Sequence, residues 1–151
     1  MKDQFRDGGI VVDNALGFWI HRVYQASRNE MFREFRERGE ELTPEQWAVL
    51  IRLWERDEQT QSELSEATFR DAPTISRIVV GMEARGLLQR LVHPEDARAR
   101  ILRLTPAARA LRKKLVPVVQ RIVERMVAGV PEADLLTTRR TLQHLFENLA
   151  H

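Results

Sequence analysis

The 151-residue chain contains no cysteine, which excludes disulfides, thiolate metal ligands and thiol redox sensing. Histidine is scarce as well: His93, His144 and His151 are scattered without ligand spacing, so no metal and no cofactor is expected. No apolar run approaches the roughly 18 residues a membrane span requires, and the N-terminal MKDQFRDGG carries acids in place of an apolar segment. The expectation is a soluble cytoplasmic protein with no membrane partner. A Gly-rich phosphate loop, a His-Glu-x-x-His pair and a nucleophile beside a base are all missing, so no catalytic residue is assigned and an enzyme is not expected. With no repeat, low-complexity tract or linker, residues 1–151 read as one domain, long enough to bury a core without staples.

What is present is a pattern of charge and helical punctuation. Residues 1–69 hold 9 basic and 14 acidic side chains, whereas residues 70–103 hold 7 and 4. A basic middle segment suits a polyanion partner. Asp13 can cap a long helix striped by Val12, Leu16, Trp19, Ile20, Val23, Met31 and Phe35, with Gly39 placed to end it. Thr43-Pro-Glu-Gln46 and Thr60-Gln-Ser-Glu63 both read as capping boxes, in which side chains satisfy the orphan amides of a helix start. Asp71 can cap a further helix that Gly86 stops, with Ile75, Ile78, Val79 and Met82 as its buried stripe and Thr74, Ser76, Arg77, Val80 and Gly81 facing elsewhere. The short gap before Asp71 is the spacing of a helix-turn-helix. Thr105-Pro106 opens another helix, and Gly129 and Pro131 separate it from a last one bearing Leu135, Leu142, Leu145 and Leu149.

Between Gly86 and Thr105 the periodicity changes. Leu88 to Val92 and Ile101 to Leu104 alternate apolar and polar residues around a tip holding Pro94, Glu95, Asp96, Arg98 and Arg100, which reads as a hairpin. A helix-turn-helix followed by a hairpin is a winged helix, so the expected fold class is mainly α with a small β-hairpin wing. Its second helix would enter the major groove of DNA, and an arginine on the wing would reach the minor groove.

The segment TQSELSEATFRDAPTISRIVVGMEARGLLQRLVHPEDARARILRLT, residues 60–105, resembles the MarR family of winged helix-turn-helix transcriptional regulators. Its Asp96-Ala-Arg98 is similar to the family's Asp-x-Arg wing. Leu102-Arg-Leu104-Thr105 resembles the run leading into the dimer helix, and Gly86-Leu87 the turn into the wing. The resemblance implies a homodimer in which residues 12–38 and 105–149 form the dimerisation helices and residues 43–104 the DNA-binding lobe. It also implies a repressor released from a pseudo-palindromic operator in double-stranded DNA by a small aromatic or phenolic acid. Two departures stand out: Val80 and Gly81 replace the Asp and Arg that members often carry late in the recognition helix, and Pro-Ala-Ala follows Thr105 in place of Glu-x-Gly.

On this reading the DNA-binding residues are Thr60, Gln61, Ser62, Arg70, Thr74, Ser76, Arg77, Arg90, Asp96, Arg98 and Arg100. Thr74, Ser76 and Arg77 are expected at base edges, and Arg98 in the minor groove with Asp96 orienting it. Arg70 and Arg90, with Arg103, would steer the phosphate backbone, and Thr60, Gln61 and Ser62 would cap their helix with its free amides offered to phosphate. Since the family places its effector pocket between the first two helices and the lobe, Trp19, His21, Arg22, Tyr24 and Trp47 are the candidate ligand-binding residues, an aromatic wall with a cation. The alternative is a winged-helix module for protein interaction or DNA architecture, without base readout.

Overall fold

The computed structural model describes residues 5–6, 9–96 and 99–150. In chain order the elements are β1 (Phe5–Arg6), β2 (Gly9–Ile10), α1 (Leu16–Glu37), α2 (Pro44–Glu55), β3 (Gln59–Thr60), α3 (Gln61–Thr68), α4 (Ala72–Ala84), β4 (Leu88–Val92), β5 (Arg100–Leu104), α5 (Pro106–Val127) and α6 (Glu132–Glu147). The chain divides into two compact units: residues 32–118, which form a lobe, and residues 1–31 with 119–151, a terminal unit.

Local chemistry sets the lobe's helix boundaries. Thr43 Oγ1 accepts the Gln46 N–H at 3.1 Å and Gln46 Oε1 accepts the Thr43 N–H at 3.2 Å, closing a reciprocal cap on α2. Thr60 and Glu63 repeat the device on α3. Asp71 caps α4 through the Thr74 N–H at 2.6 Å. The end of α4 is a Schellman turn: Leu87 N–H reaches the Met82 carbonyl and Gly86 N–H the Glu83 carbonyl, at 2.9 and 2.8 Å. Gly86 holds φ at +67°, a left-handed conformation that a Cβ disfavours. In the turn between α3 and α4 that position falls to Phe69, at φ +53°.

The lobe core forms where the stripes converge. Phe35, Leu53, Leu64, Ile75, Val79, Met82 and Leu102 are all buried. A chain of aromatic contacts runs from Phe32 to Phe35, Trp47 and Trp54 with centroids 5.6, 5.0 and 5.5 Å apart, in the edge-on and tilted arrangements that ring quadrupoles favour. Trp54 then donates its indole N–H to the Ala108 carbonyl at 3.0 Å, tying α2 to the start of α5.

The hairpin is present, with Leu88 opposite Leu104 and Val92 opposite Arg100. Its strand β5 is central in a three-stranded sheet, because β3 pairs with its other edge at Gln59↔Leu102 and Thr60↔Ile101. Strand β3 is two residues long, too short to show a period. Gln59, buried, sends its amide to the Arg52 carbonyl at 2.9 Å and also to that of Arg56, tying β3 to the last turn of α2 and the residue that caps it.

The terminal unit differs from the sequence expectation at its start. A 3₁₀ turn, Val12–Asn14, precedes α1, which begins at Leu16. Asp13 serves through its main-chain carbonyl, which accepts the Trp19 indole N–H at 2.7 Å. The short β1–β2 pair carries no sequence signal either, each strand being only two residues. Helix α6 has no side-chain cap and begins after Pro131.

Candidate nucleic-acid interface

Four elements of the lobe carry the predicted DNA contacts: the start of α3, the turn after it, the outward face of α4 and the wing. On α4, burial of Ile75, Val79 and Met82 fixes the helix rotation, which leaves Arg77 and Val80 exposed and Thr74 and Ser76 half-buried. The Arg77 guanidinium donates to Thr74 Oγ1 at 3.2 Å, so the two polar side chains one turn apart form a single donor-acceptor group. At their base, the Asp71 carboxyl is held below the usual carboxylate range by the Thr74 N–H and side chain, with Arg77 adding a favourable charge.

Thr60 has a different role from its neighbours. Its hydroxyl accepts the Glu63 N–H at 3.2 Å and donates to Glu63 Oε2 at 2.9 Å, while its N–H donates to the same oxygen at 2.7 Å. An internal carboxylate thus already occupies the Thr60 amide, leaving Gln61, half-buried, and Ser62, exposed, as the outward residues of this helix start. The Thr60 N–H and the Arg56 guanidinium, at 2.6 Å, outweigh desolvation and lower the Glu63 pKa to about 2.

This shift yields a pH prediction. A carboxyl whose pKa is depressed in the fold adds stability above its unfolded value, roughly 4.3, and that stability is lost as pH falls toward about 2. Glu63→Gln keeps a residue able to close the capping box and removes only the charge. The variant is expected to be less stable at pH 7 by no more than about 1 kcal/mol, since solvent screens this partly exposed pair. The deficit should close between about pH 4 and pH 2 in chemical denaturation; one that persists at pH 2 would assign the effect to packing.

Three expected backbone-steering arginines are engaged within the lobe. Arg90 is half-buried, its Nε 2.7 Å from Glu83 Oε2 but off the line of a directed hydrogen bond, an ion pair between β4 and α4. Arg103 pairs with Glu58 at 2.8 Å, and Arg70 donates to the Thr68 carbonyl at 3.0 Å. On the wing, Asp96 and Arg100 are exposed, and Arg100 donates to the Ala99 carbonyl at 2.9 Å. Arg98 lies outside the described residues.

Sequence reasoning did not find the junction that fixes the wing to the helices. Asp57 accepts the Leu104 N–H at 2.9 Å, the Arg109 guanidinium at 2.7 Å and the Glu58 N–H at 2.9 Å. Burial raises its pKa, but these donors together hold it below the usual range. Thr105 completes the junction by donating to the Gly86 carbonyl at 2.7 Å and capping the Ala108 N–H at 3.2 Å.

The candidate ligand residues fall in both units. Trp19, His21, Arg22 and Tyr24 stand exposed on α1 in the terminal unit, whereas Trp47 belongs to the aromatic chain of the lobe. Within the terminal unit, the Arg22 guanidinium lies over the rings of Phe18 and Trp19, at 5.5 and 6.0 Å from their centroids, a cation–π geometry.

A helix-turn-helix with a recognition helix rotated by its apolar stripe, followed at once by a hairpin braced on a third strand, defines a winged-helix DNA-binding fold. The MarR family model matches residues 42–99. The transcriptional repressor NicR of Pseudomonas putida is 31% identical over 137 residues, which are 91% of this chain and 85% of that protein. The chain belongs to the MarR family. A crystal structure of a probable transcriptional regulator from Pseudomonas aeruginosa superposes with a TM-score of 0.76 at 32% identity, covering 89% of this chain and 98% of that one. The structure of Bordetella bronchiseptica BpsR, whose DNA binding is regulated by 6-hydroxynicotinic acid, matches with a TM-score of 0.77 at 25% identity, covering 88% and 94%. Among the described residues, no helix is long and apolar enough to cross a membrane.

Proposed function

We propose that the protein is a cytoplasmic, homodimeric repressor that binds a pseudo-palindromic operator and is released by a small aromatic acid. The observation that carries the dimer is the poverty of the terminal unit's core. Among its described residues only Ile122 is buried, while Trp19, Ile20, Val23, Val123, Met126, Leu136, Leu142 and Phe146 are exposed. Helices of this length and apolar content need another surface to cover them, and a second copy supplies one by twofold symmetry. Such symmetry sets two recognition helices in major grooves about 34–36 Å apart.

In each half-site Arg77, with Thr74 and Ser76, reads base edges. Gln61, Ser62, Arg70 and Arg100 contact phosphate, Arg98 reaches the minor groove beside Asp96, and Arg90 positions the wing through Glu83. Arg77→Ala is expected to weaken operator binding about 10-fold or more, the range of one bidentate base contact, and to relax base preference at one position per half-site. Fluorescence anisotropy on operator and scrambled duplexes measures both. Equal affinity of the wild type for the two duplexes at moderate salt would end the sequence-specific reading.

The effector reading rests on the Arg22 cation over aromatic rings and on the regulation of BpsR by 6-hydroxynicotinic acid. In the terminal unit Trp19, His21, Arg22 and Tyr24 supply aromatic faces and a cation for a ring bearing a carboxylate, and within the lobe Trp47 is a separate aromatic candidate. Such a ligand acts only through its differential affinity for the DNA-free state.

A further inference from the structure

The outward face of α4 changes chemistry halfway along its length. Residues 73, 76, 77, 80 and 84 share one side of a helix with 3.6 residues per turn, so Pro73, Ser76, Arg77, Val80 and Ala84 line that face. Its first half carries the hydroxyl of Ser76 and the guanidinium of Arg77. Its second half carries no hydrogen-bonding side chain at all: Val80 is 55% exposed, Gly81 has no side chain, and Ala84 is exposed. The polar neighbours at this end are turned to other work, Glu83 to Arg90 at 2.7 Å and Arg85 to the Glu41 carbonyl and Gln46 Oε1.

An exposed valine is not needed by the lobe, whose core closes beneath it through Val79 and Met82. It is well suited to one kind of contact. Val in a helix is held almost entirely in a single χ1 rotamer, so its two methyl groups project in a fixed direction with little entropy left to lose. On the edges of base pairs in the major groove, the apolar group is the C5-methyl of thymine; the other groups presented there are hydrogen-bond donors and acceptors.

Resting on the DNA-binding function proposed above, we infer that Val80 is a specificity-determining residue that selects thymine by packing on its C5-methyl, beside the base contacted by Arg77. The occupant is DNA because the apolar half of the face is continuous with Arg77, three residues and one turn away on the same helix side. The two halves then read by different means. Hydrogen bonding serves the half with Arg77, and shape with exclusion of water serves the half with Val80.

The test begins with duplexes selected from a randomised library by the full-length protein. Each thymine of the selected half-site is then replaced in turn by deoxyuridine, which keeps Watson–Crick pairing and removes only the methyl group. Wild-type protein should lose about four-fold in affinity per half-site at one thymine, the factor for one buried methyl group at ~0.8 kcal/mol. Val80→Ala should bind the thymine and uracil duplexes equally, with an unchanged thermal midpoint because the residue lies outside the core. Arg77→Ala should bind more weakly yet keep the methyl effect.

If the selection succeeds and no thymine is sensitive to loss of its methyl, or if Val80→Ala keeps the sensitivity, the inference is overturned while the repressor reading stands. Val80→Ala with undiminished affinity for the selected duplex would likewise overturn it. A selection that enriches no sequence would instead remove the DNA-binding function, and this inference with it.

Discussion

Replacing Leu142 and Phe146 together by aspartate should turn the protein into a monomer and lower its affinity for a two-half-site operator by about 10²- to 10⁴-fold. The two side chains lie one turn apart on α6, 39% and 51% exposed in the single chain. Around them run Leu135, Thr138, Arg139 and Gln143, which with them line an open groove. In the proposed dimer this stripe faces the partner, and a carboxylate placed there would have to shed its water without gaining a counter-charge, which is among the costliest changes available to an interface. The loss on DNA follows from linkage of the two lobes: once the first is seated, the second binds from a high effective concentration, and a monomer forfeits that gain without losing any contact to a base. Light scattering at micromolar concentration reads the first effect, and anisotropy with one- and two-half-site duplexes the second. The single half-site should be bound equally well by variant and wild type, so a variant that fails there too has lost its lobe, and one that remains dimeric refutes the assignment of α6.

Phe35→Ala is expected to destabilise the lobe by about 3–5 kcal/mol, the range for deleting a buried aromatic ring. Phe35 has no exposed surface and lies at the centre of the aromatic chain, with ring centroids 5.6 Å from Phe32 and 5.0 Å from Trp47. Its removal opens a void that α1 and α2 cannot close, because Val49, Leu50 and Leu53 on the facing helix are themselves fully packed. Against a total stability of about 5–15 kcal/mol, this change moves a urea midpoint by roughly 1 M or more. Fluorescence of Trp47 and Trp54 reports that transition from within the lobe. A loss under about 1 kcal/mol would show that the ring is not a keystone of this core. The same variant should lose operator binding on warming before the wild type does, since the recognition helix is set by the core beneath it.

Much of the lobe is legible in the sequence because its signals are local. The Thr43–Gln46 and Thr60–Glu63 boxes, Asp71 before α4 and Gly86 after it each act within four residues, and each is found where a capping argument places it. The rotation of α4 follows from one apolar stripe, which is why Arg77 and Val80 are correctly turned outward. At the start of α1 the same kind of argument fails. Asp13 has the chemistry of a cap, yet the helix starts at Leu16, because a 3₁₀ turn and the Trp19 indole bond to the Asp13 carbonyl use those residues differently.

The partners of the charged residues were the less legible part. Arg90 and Glu83 are seven residues apart, on a strand and a helix, and Arg103 meets Glu58 across 45 residues. Nothing in either local sequence distinguishes such arginines from solvated ones awaiting phosphate. The third strand of the sheet escaped for a related reason: two residues carry no period, and Gln59 and Thr60 become a strand only when β5 offers its free edge.

The sequence by itself therefore determined where the helices of the lobe begin and end, which face of α4 turns outward and that a hairpin follows it, because caps, left-handed glycines and apolar periods act over a few residues. Only the tertiary structure decided which arginines pair with carboxylates inside the lobe, how Asp57 and Thr105 brace the wing, and that apolar side chains of the terminal unit such as Trp19, Val23, Leu142 and Phe146 stay uncovered within one chain. These outcomes depend on which distant groups meet, and electrostatic pairing and burial are set by distance in space, a quantity that separation along the chain does not fix.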